Sequence, residues 1–302
     1  MNRHLFVPSC VLFVLMGLLP GCKTQQATSL VNTVTFEMED IKSLRLDYDA
    51  DDIHVVRRDR GKVILKEYMN QDKRSYYAKT STQNGQLLIT EGTRPKRSSF
   101  ESYIELYIPP DYTNSLSLHS TSGAIYSDIP LNLTGDFRVD TTSGKVEVSN
   151  MKAAKLWAAS TNGSLAFQNI AANEIHIQTT NATTLMNEMN GTIDYQTKGG
   201  KLTASELYGS GSFHASGEGS LHISFSAVKD NISAYSKNGT LEVALPNELA
   251  FTFSAKTKEG SITASFADRL EVTDKTVTGT IGASPGIAIE LETGNGDIKV
   301  SR

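Results

Sequence analysis

Phe137-Arg138-Val139-Asp140-Thr141-Thr142-Ser143-Gly144-Lys145-Val146-Glu147-Val148 carries the pattern that decides the fold. Two apolar residues alternate with polar ones, a hydroxyl residue follows, then a glycine, then a second alternating pair. The phrase returns about every twenty residues, a fixed period of the kind stacked arrays show. Leu156 and Ala158 lead to Ser160, Gly163, Leu165 and Phe167; Ile193 and Tyr195 lead to Thr197, Gly200, Leu202 and Ala204. Ile232 and Ala234 lead to Ser236, Gly239, Leu241 and Val243, and Ile289 and Leu291 lead to Thr293, Gly296, Ile298 and Val300. The unit at Ile175, Ile177 and Thr179 has Ala182 in the glycine slot, and the unit at Phe253 and Ala255 has Gly260.

Alternation with period two is strand language, and no stretch has useful helical periodicity. The expected fold is all-β: a parallel β-solenoid whose coils of about 20 residues stack about 4.8 Å apart. Its inward residues are the apolar ones named above. The recurring Thr and Ser face outward at corners or stack as hydroxyl ladders. Gly123, Gly144, Gly163, Gly200, Gly219, Gly239, Gly260 and Gly296 read as structural turn glycines, with a positive φ as the reason for glycine.

Outward from the repeats, the chain of 302 residues opens with Arg3 and His4, an apolar run from Leu5 to Leu19, and Leu19-Pro20-Gly21-Cys22. A basic start and a short apolar core mark a secretory signal over 1–21, too short for a comfortable membrane span. Leu19-Pro20-Gly21-Cys22 resembles the bacterial lipobox, although Pro20 departs from it. The resemblance implies cleavage before Cys22 and lipidation of its thiol, including acylation of the palmitate kind. The other Cys of the two, Cys10, lies in the part removed, so the mature chain forms no internal disulfide. Residues 22–33 read as a tether, 34–112 as a less regular, more charged β region capping the stack, and 113–302 as the repeat solenoid.

A net charge of −4 carries no basic bias of the sort nucleic-acid binding uses. Asp47-Tyr48-Asp49-Ala50-Asp51-Asp52 imitates a calcium loop, but Asp52 holds the place of the obligatory Gly and Arg58 that of the Glu, so it reads as a solvated acidic turn. Asp297 after Gly296 hints at toxin-type calcium repeats, yet the motif occurs once. No metal or cofactor is expected. His54, His119, His176, His214 and His222 have no ligand spacing and read as surface residues. No nucleophile elbow is present, and the acidic residues (Asp140, Glu147, Glu174, Asp194, Glu206, Glu218, Asp230, Glu242, Glu259) are scattered, so an enzyme is not expected. Trp157, the sole Trp, reads as part of a sheet surface or edge. Arg57-Arg58-Asp59-Arg60-Gly61-Lys62 and Arg94-Pro95-Lys96-Arg97 read as a solubilising edge, with anionic head groups or wall polymers as the alternative contact.

Thr141-Thr142-Ser143-Gly144-Lys145-Val146, Thr161-Asn162-Gly163-Ser164-Leu165 and the closing Thr293-Gly294-Asn295-Gly296-Asp297-Ile298 resemble the bacterial putative-adhesin repeat family, a β-helical domain of envelope proteins. The likeness runs from about Leu44 to Val300. It implies a membrane-anchored, extracytoplasmic protein with a structural or binding role toward an envelope protein or a wall or surface polymer. The family setting also implies the alternative of an envelope-stress sensor that binds a peptide, lipid or membrane partner. A carbohydrate-active β-helix is the third reading and would need an aromatic platform beside paired carboxylates. At the C-terminus, Ile298-Lys299-Val300-Ser301-Arg302 ends in strand pattern. The expectation is an open docking or self-association edge there, unless residues 267–285 fold across it.

Overall fold

The computed structural model describes residues 27–59, 61–266 and 270–302. Among these, the signal segment, Cys10, Cys22 and Arg60 do not appear, and readings that fall on them lie outside the described residues. Regular structure here is strand, apart from single 3-10 turns at Met38–Asp40 and Arg74–Tyr76. The strands before Pro109 are β1 (Ser29–Phe36), β2 (Ser43–Tyr48), β3 (Asp52–Arg57), β4 (Val63–Met69), β5 (Lys79–Gln83), β6 (Gln86–Thr90) and β7 (Ser102–Ile108). The middle holds β8 (Ser115–Ser120), β9 (Ile125–Ser127), β10 (Leu131–Asn132), β11 (Phe137–Thr141), β12 (Val146–Ser160), β13 (Leu165–Thr179), β14 (Thr184–Thr197), β15 (Leu202–Ala215) and β16 (Leu221–Ser236). Then come β17 (Leu241–Ala244), β18 (Phe251–Thr257), β19 (Ile262–Ala264), β20 (Leu270–Val272), β21 (Thr276–Ile281), β22 (Ala288–Thr293) and β23 (Ile298–Ser301).

The middle strands pair in parallel with successive units in register. Val146 faces Leu165 and Leu156 faces Ile175, an offset of 19 residues. Thr184 faces Leu202, an offset of 18. β12, β13, β14 and β15 each bend at one non-glycine residue in the left-handed region, Asn150, Asn169, Glu188 and Glu206, where φ is 58°, 53°, 54° and 53°. The bend divides each unit between two rows of strands. Asn tolerates this left-handed conformation better than most residues. Where Asn recurs the side chains also form a ladder, with Asn169 Nδ2 donating to Asn150 Oδ1 at 2.8 Å.

The first row runs β5–β6–β2–β8–β11–β12–β13–β14–β15–β16–β22–β18–β21–β20. The second runs β1–β4–β7–β3–β9–β12–β13–β14–β15–β16–β17–β23–β19. At about 4.8 Å per strand, thirteen strands in that row extend roughly 60 Å. Alternation fills the interior: Phe137 and Val139 are buried while Arg138 between them is exposed. One apolar cluster runs from Ile41 to Val300.

Two expectations change. The sheet is mixed, not purely parallel: β1 on β4, β4 on β7 and β5 on β6 are antiparallel, as are β21 on β18 and β20 on β21. These strands terminate the stack, where a hairpin supplies a pairing partner without another full coil. The expected open edge at the C-terminus is also absent. β23 lies between β17 and β19, and β22 between β16 and β18, so both edges of the last segment are paired. The antiparallel β20 and β21, from the stretch proposed to fold across the end, lie outside β18.

Candidate binding faces

The glycine slots form one column through the stack, and the cause differs from the one read in the repeats. None of Gly123, Gly144, Gly163, Gly200, Gly219, Gly239, Gly260 and Gly296 is among the positive-φ residues. Successive backbones approach closely there, and Ala182 is the one slot of the column that carries a Cβ. A Cβ on Gly144 would sit 2.0 Å from the carbonyl oxygen of Gly123, and one on Gly163 would sit 1.9 Å from that of Gly144. Gly200, Gly219, Gly239 and Gly296 meet the oxygens of Ala182, Gly200, Gly219 and Gly239 at 2.2, 2.6, 2.1 and 2.0 Å, and Gly260 meets that of Gly296 at 2.0 Å. At the start of the column Gly123 meets the oxygen of Asp51 at 2.0 Å.

The hydroxyls three residues earlier point inward, not outward. Ser120, Thr141, Thr197, Ser236 and Thr257 accept the N–H of Gly123, Gly144, Gly200, Gly239 and Gly260. Thr179 donates to Thr197 at 2.8 Å, and Thr293 to Thr257 at 3.0 Å. These residues are buried, so each bond to a glycine N–H satisfies a backbone group cut off from water. The unit with Ala215 at this position has no such hydroxyl.

Chemistry therefore lies on the outer faces. On the second row the outward residues in register are Tyr126, Glu147, Ala166, Leu185, Thr203, His222, Glu242, Lys299 and Thr263. Two clefts of about 480 and 620 Å³ share Thr203 and Ser205 and run along this face. Leu185, 49% exposed, stands in the first. His54 stacks on Tyr126 with centroids 5.1 Å apart, and Tyr68 on Tyr103 at 4.5 Å, which extends the face toward β1 as an aromatic rail. The Glu105 carboxylate accepts the Tyr68 hydroxyl, and together with burial it pushes that phenol upward. Glu242 holds Lys299 at 3.0 Å and His222 at 2.8 Å, and these contacts draw its carboxyl below the ordinary range.

On the first row, the residues between the leading apolar pairs stack as Ser117, Arg138, Trp157, His176, Asp194 and Ser212. Trp157 stays on the surface, 42% exposed, stacked on His176 with centroids 4.2 Å apart. His176 Nε2 lies 3.3 Å from Glu174 and its Nδ1 lies 3.5 Å from Asp194. The hydrogen bonds from Lys155 and His176 lower the Glu174 carboxyl, so this carboxylate is suited to holding charge and accepting hydrogen bonds. The five histidines among the described residues lie on outward faces.

Two charged clusters differ from their reading in sequence. Asp51 is not solvated and Arg94 is not a free cation: their side chains are 2% and 4% exposed and paired with each other, and Arg94 also pairs with Glu67, which is 0% exposed. Glu67 further accepts Asn32 Nδ2 at 2.7 Å and the Ala78 N–H at 2.9 Å, and Arg94 Nε donates to the Tyr76 carbonyl at 3.0 Å. Desolvation pushes the Glu67 carboxyl up and holds Arg94 down at about 10. Lys96 remains exposed and pairs with Asp49, and Lys62 pairs with Glu37. Among the described residues no cluster of His, Cys, Asp and Glu is disposed to hold a metal.

A stack of short repeats with an apolar interior, a buried row of hydroxyls and broad polar outer faces defines a repeat-built β protein that presents surfaces. The chain belongs to the Toastrack DUF4097 family, whose model matches residues 41–301. The repeat resemblance thus holds across that span. Among solved structures, the chain is similar to a putative adhesin from Bacteroides fragilis at 14% identity, with 91% of this chain and 98% of that one covered and a TM-score of 0.46. A putative adhesin from Parabacteroides distasonis gives 14% identity over 90% and 97% with a TM-score of 0.41. A putative lipid binding protein from Parabacteroides distasonis gives 14% over 89% and 96% with a TM-score of 0.46. No curated protein matches the chain.

Proposed function

We propose that the chain is a lipid-anchored, extracytoplasmic binding module of a bacterial envelope, with no catalytic step of its own. The observation that supports this most is the disposition of polar chemistry. The hydroxyls beside the glycine column bond glycine amides and one another, while clefts and aromatic stacks lie in rows along the outside. Rows of that kind suit an elongated partner such as an envelope protein or a wall or surface polymer. Lipidation at Cys22 would tether the module beside β1, an edge strand of the second row, and let the stack project from the membrane. Replacing Cys22 with Ser and fractionating cells tests the anchor. The variant is expected in the soluble extracytoplasmic fraction, and retention on the membrane at the natural level would sink this reading.

A further inference from the structure

The face of the first row around Trp157 offers a more specific ligand class than the module as a whole. Two outward columns run side by side along the stack. One holds Arg138, Trp157, His176 and Asp194, and the other Asp140, Ala159, Gln178 and Gln196. Ala159 is the short side chain in its column, and a cavity of about 440 Å³ opens above it, with Trp157 as its aromatic wall.

Around this notch Asp194 offers only acceptors and takes the Gln196 Nε2 at 3.2 and 3.3 Å, while Gln178 offers an acceptor and two donors. Arg138 is engaged in two bonds to Asp140, at 2.6 and 3.0 Å, so it is not a free cation for an anionic ligand. Carboxylates and amides that alternate beside an aromatic wall match a ring bearing hydroxyls on its rim and C–H bonds on its faces. An acidic polymer would meet Asp140 and Asp194 with the wrong sign.

The arrangement also repeats. Each coil places one outward residue in each column, about 4.8 Å from the last, close to the advance of one pyranose in an extended β-linked chain. Further along the same columns His214 stacks on Tyr235 with centroids 4.8 Å apart, a second aromatic station in register with Gln196.

We infer that this strip binds an extended neutral or N-acetylated glycan lying along the stack, about one sugar per coil, with Trp157 and Tyr235 as its aromatic contacts. The inference rests on the binding-module reading and names its ligand.

The chain has one Trp, so its fluorescence reports this site alone. The test titrates the full-length lipoprotein in detergent with chitohexaose and cellohexaose and with the matching disaccharides. A saturable Trp157 signal is expected with at least one hexamer, at least tenfold tighter than with its disaccharide. By calorimetry, Trp157→Ala should weaken that hexamer tenfold or more and Tyr235→Ala by a smaller factor. Leu185→Ala, on the other face, should leave it unchanged, with thermal midpoints checking that each variant is folded. No response to either hexamer at millimolar concentration would overturn the proposal, as would binding that Trp157→Ala does not weaken. A mixed-sequence decapeptide that saturates the signal when neither hexamer does would overturn it in favour of a peptide ligand. Because the assay uses purified protein, a negative result leaves the membrane anchor to be judged by fractionation alone.

Discussion

The two ends of the stack share a topology and differ in what holds them. At each end the outermost coil is not the terminal stretch of sequence. β2 and β3 lie inside β6 and β7, and β22 and β23 lie inside β18 and β19. At the end that carries β1, the surrounding pieces are joined by buried charge: Arg94 reaches Asp51 and Glu67, and Glu67 reaches Asn32 and Ala78. At the far end Phe251, Phe253 and Phe266 meet edge to face, with centroids 5.4 to 6.2 Å apart, and Lys275 covers the carbonyl of Gly260. The direction of the glycine column explains the contrast. Each added Cβ would point at the preceding coil, and what precedes Asp51 is the loop between β6 and β7, whose Arg94 meets the Asp51 side chain. Gly260, at the other end, still has Gly296 before it.

The largest effect should come from removing the inserted C-terminal pair. Truncation after residue 287 takes away β22 and β23 and unpairs four strands at once, β16, β17, β18 and β19. The expected result is loss of cooperative unfolding across the whole far third, seen as a broadened or missing thermal transition. In the intact chain the amides from Asp297 to Ser301 should exchange as slowly as those of β14. Rapid exchange there in a dilute monomer would contradict the insertion and restore the open edge.

Breaking the charged end should cost less. Arg94→Met leaves Asp51 and Glu67 buried without their cation, a loss of about 3–5 kcal/mol by denaturant unfolding. Replacing all three with apolar residues of similar size should return most of that loss. The ends should also respond oppositely to pH. Glu67 has a raised pKa, so its burial penalty is absent below the ordinary value of 4.5 and grows as pH rises through the higher folded value. Glu242, which ties β17 to β23 through Lys299, has a lowered pKa. Its contribution is present above 4.5 and is lost as pH falls through the lower folded value. Acidification should therefore loosen the far end relative to the end that carries β1, read as protection factors of β23 against β4.

The middle of the molecule was legible in the sequence and the ends were not, for a physical reason. Repeats announce coils because every coil meets the same neighbour, so Leu156, Ile175 and Ile193 recur where the core demands them. An end coil meets no such neighbour, and its residues follow whatever covers it. Asp51 and Arg94 thus read as surface charges although they lie far apart in sequence and meet only in the fold. The glycines were read at the right positions for a different cause, since close approach between coils leaves the same mark in sequence as a positive φ. The Trp157 face was partly legible: listing the residue between each leading apolar pair spells Arg138, Trp157, His176, Asp194. What was missing was the register that turns this list into a row.

The glycine column allows the middle to be tested in the same terms. Gly200→Val places its Cβ 2.2 Å from the Ala182 oxygen, so two coils must separate. A loss of about 3 kcal/mol is expected from such overpacking. Gly286→Ala, whose Cβ would meet nothing within 4 Å, should change stability by less than about 0.5 kcal/mol. Equal midpoints for the two variants would remove the steric account of the column.

The smallest effect concerns the hydroxyls beside that column. Thr197 is buried, accepts the Gly200 N–H at 2.9 Å and receives the Thr179 hydroxyl at 2.8 Å. Thr197→Val keeps the shape and removes both bonds, which leaves one backbone donor and one hydroxyl without this partner. A cost of about 1–3 kcal/mol is expected from groups left unsatisfied in a buried position. The chain contains its own comparison, because Ala215 stands in this column with no hydroxyl to offer Gly219. Ala215 also lies 3.0 Å from a Cβ built on Gly219, so the slot is crowded and an added oxygen has little space. Ala215→Ser should therefore gain nothing, while Thr197→Val loses stability. If both substitutions were neutral, the hydroxyl row would be ornamental to the stack, and the close approach of the glycines alone would set the spacing of its coils.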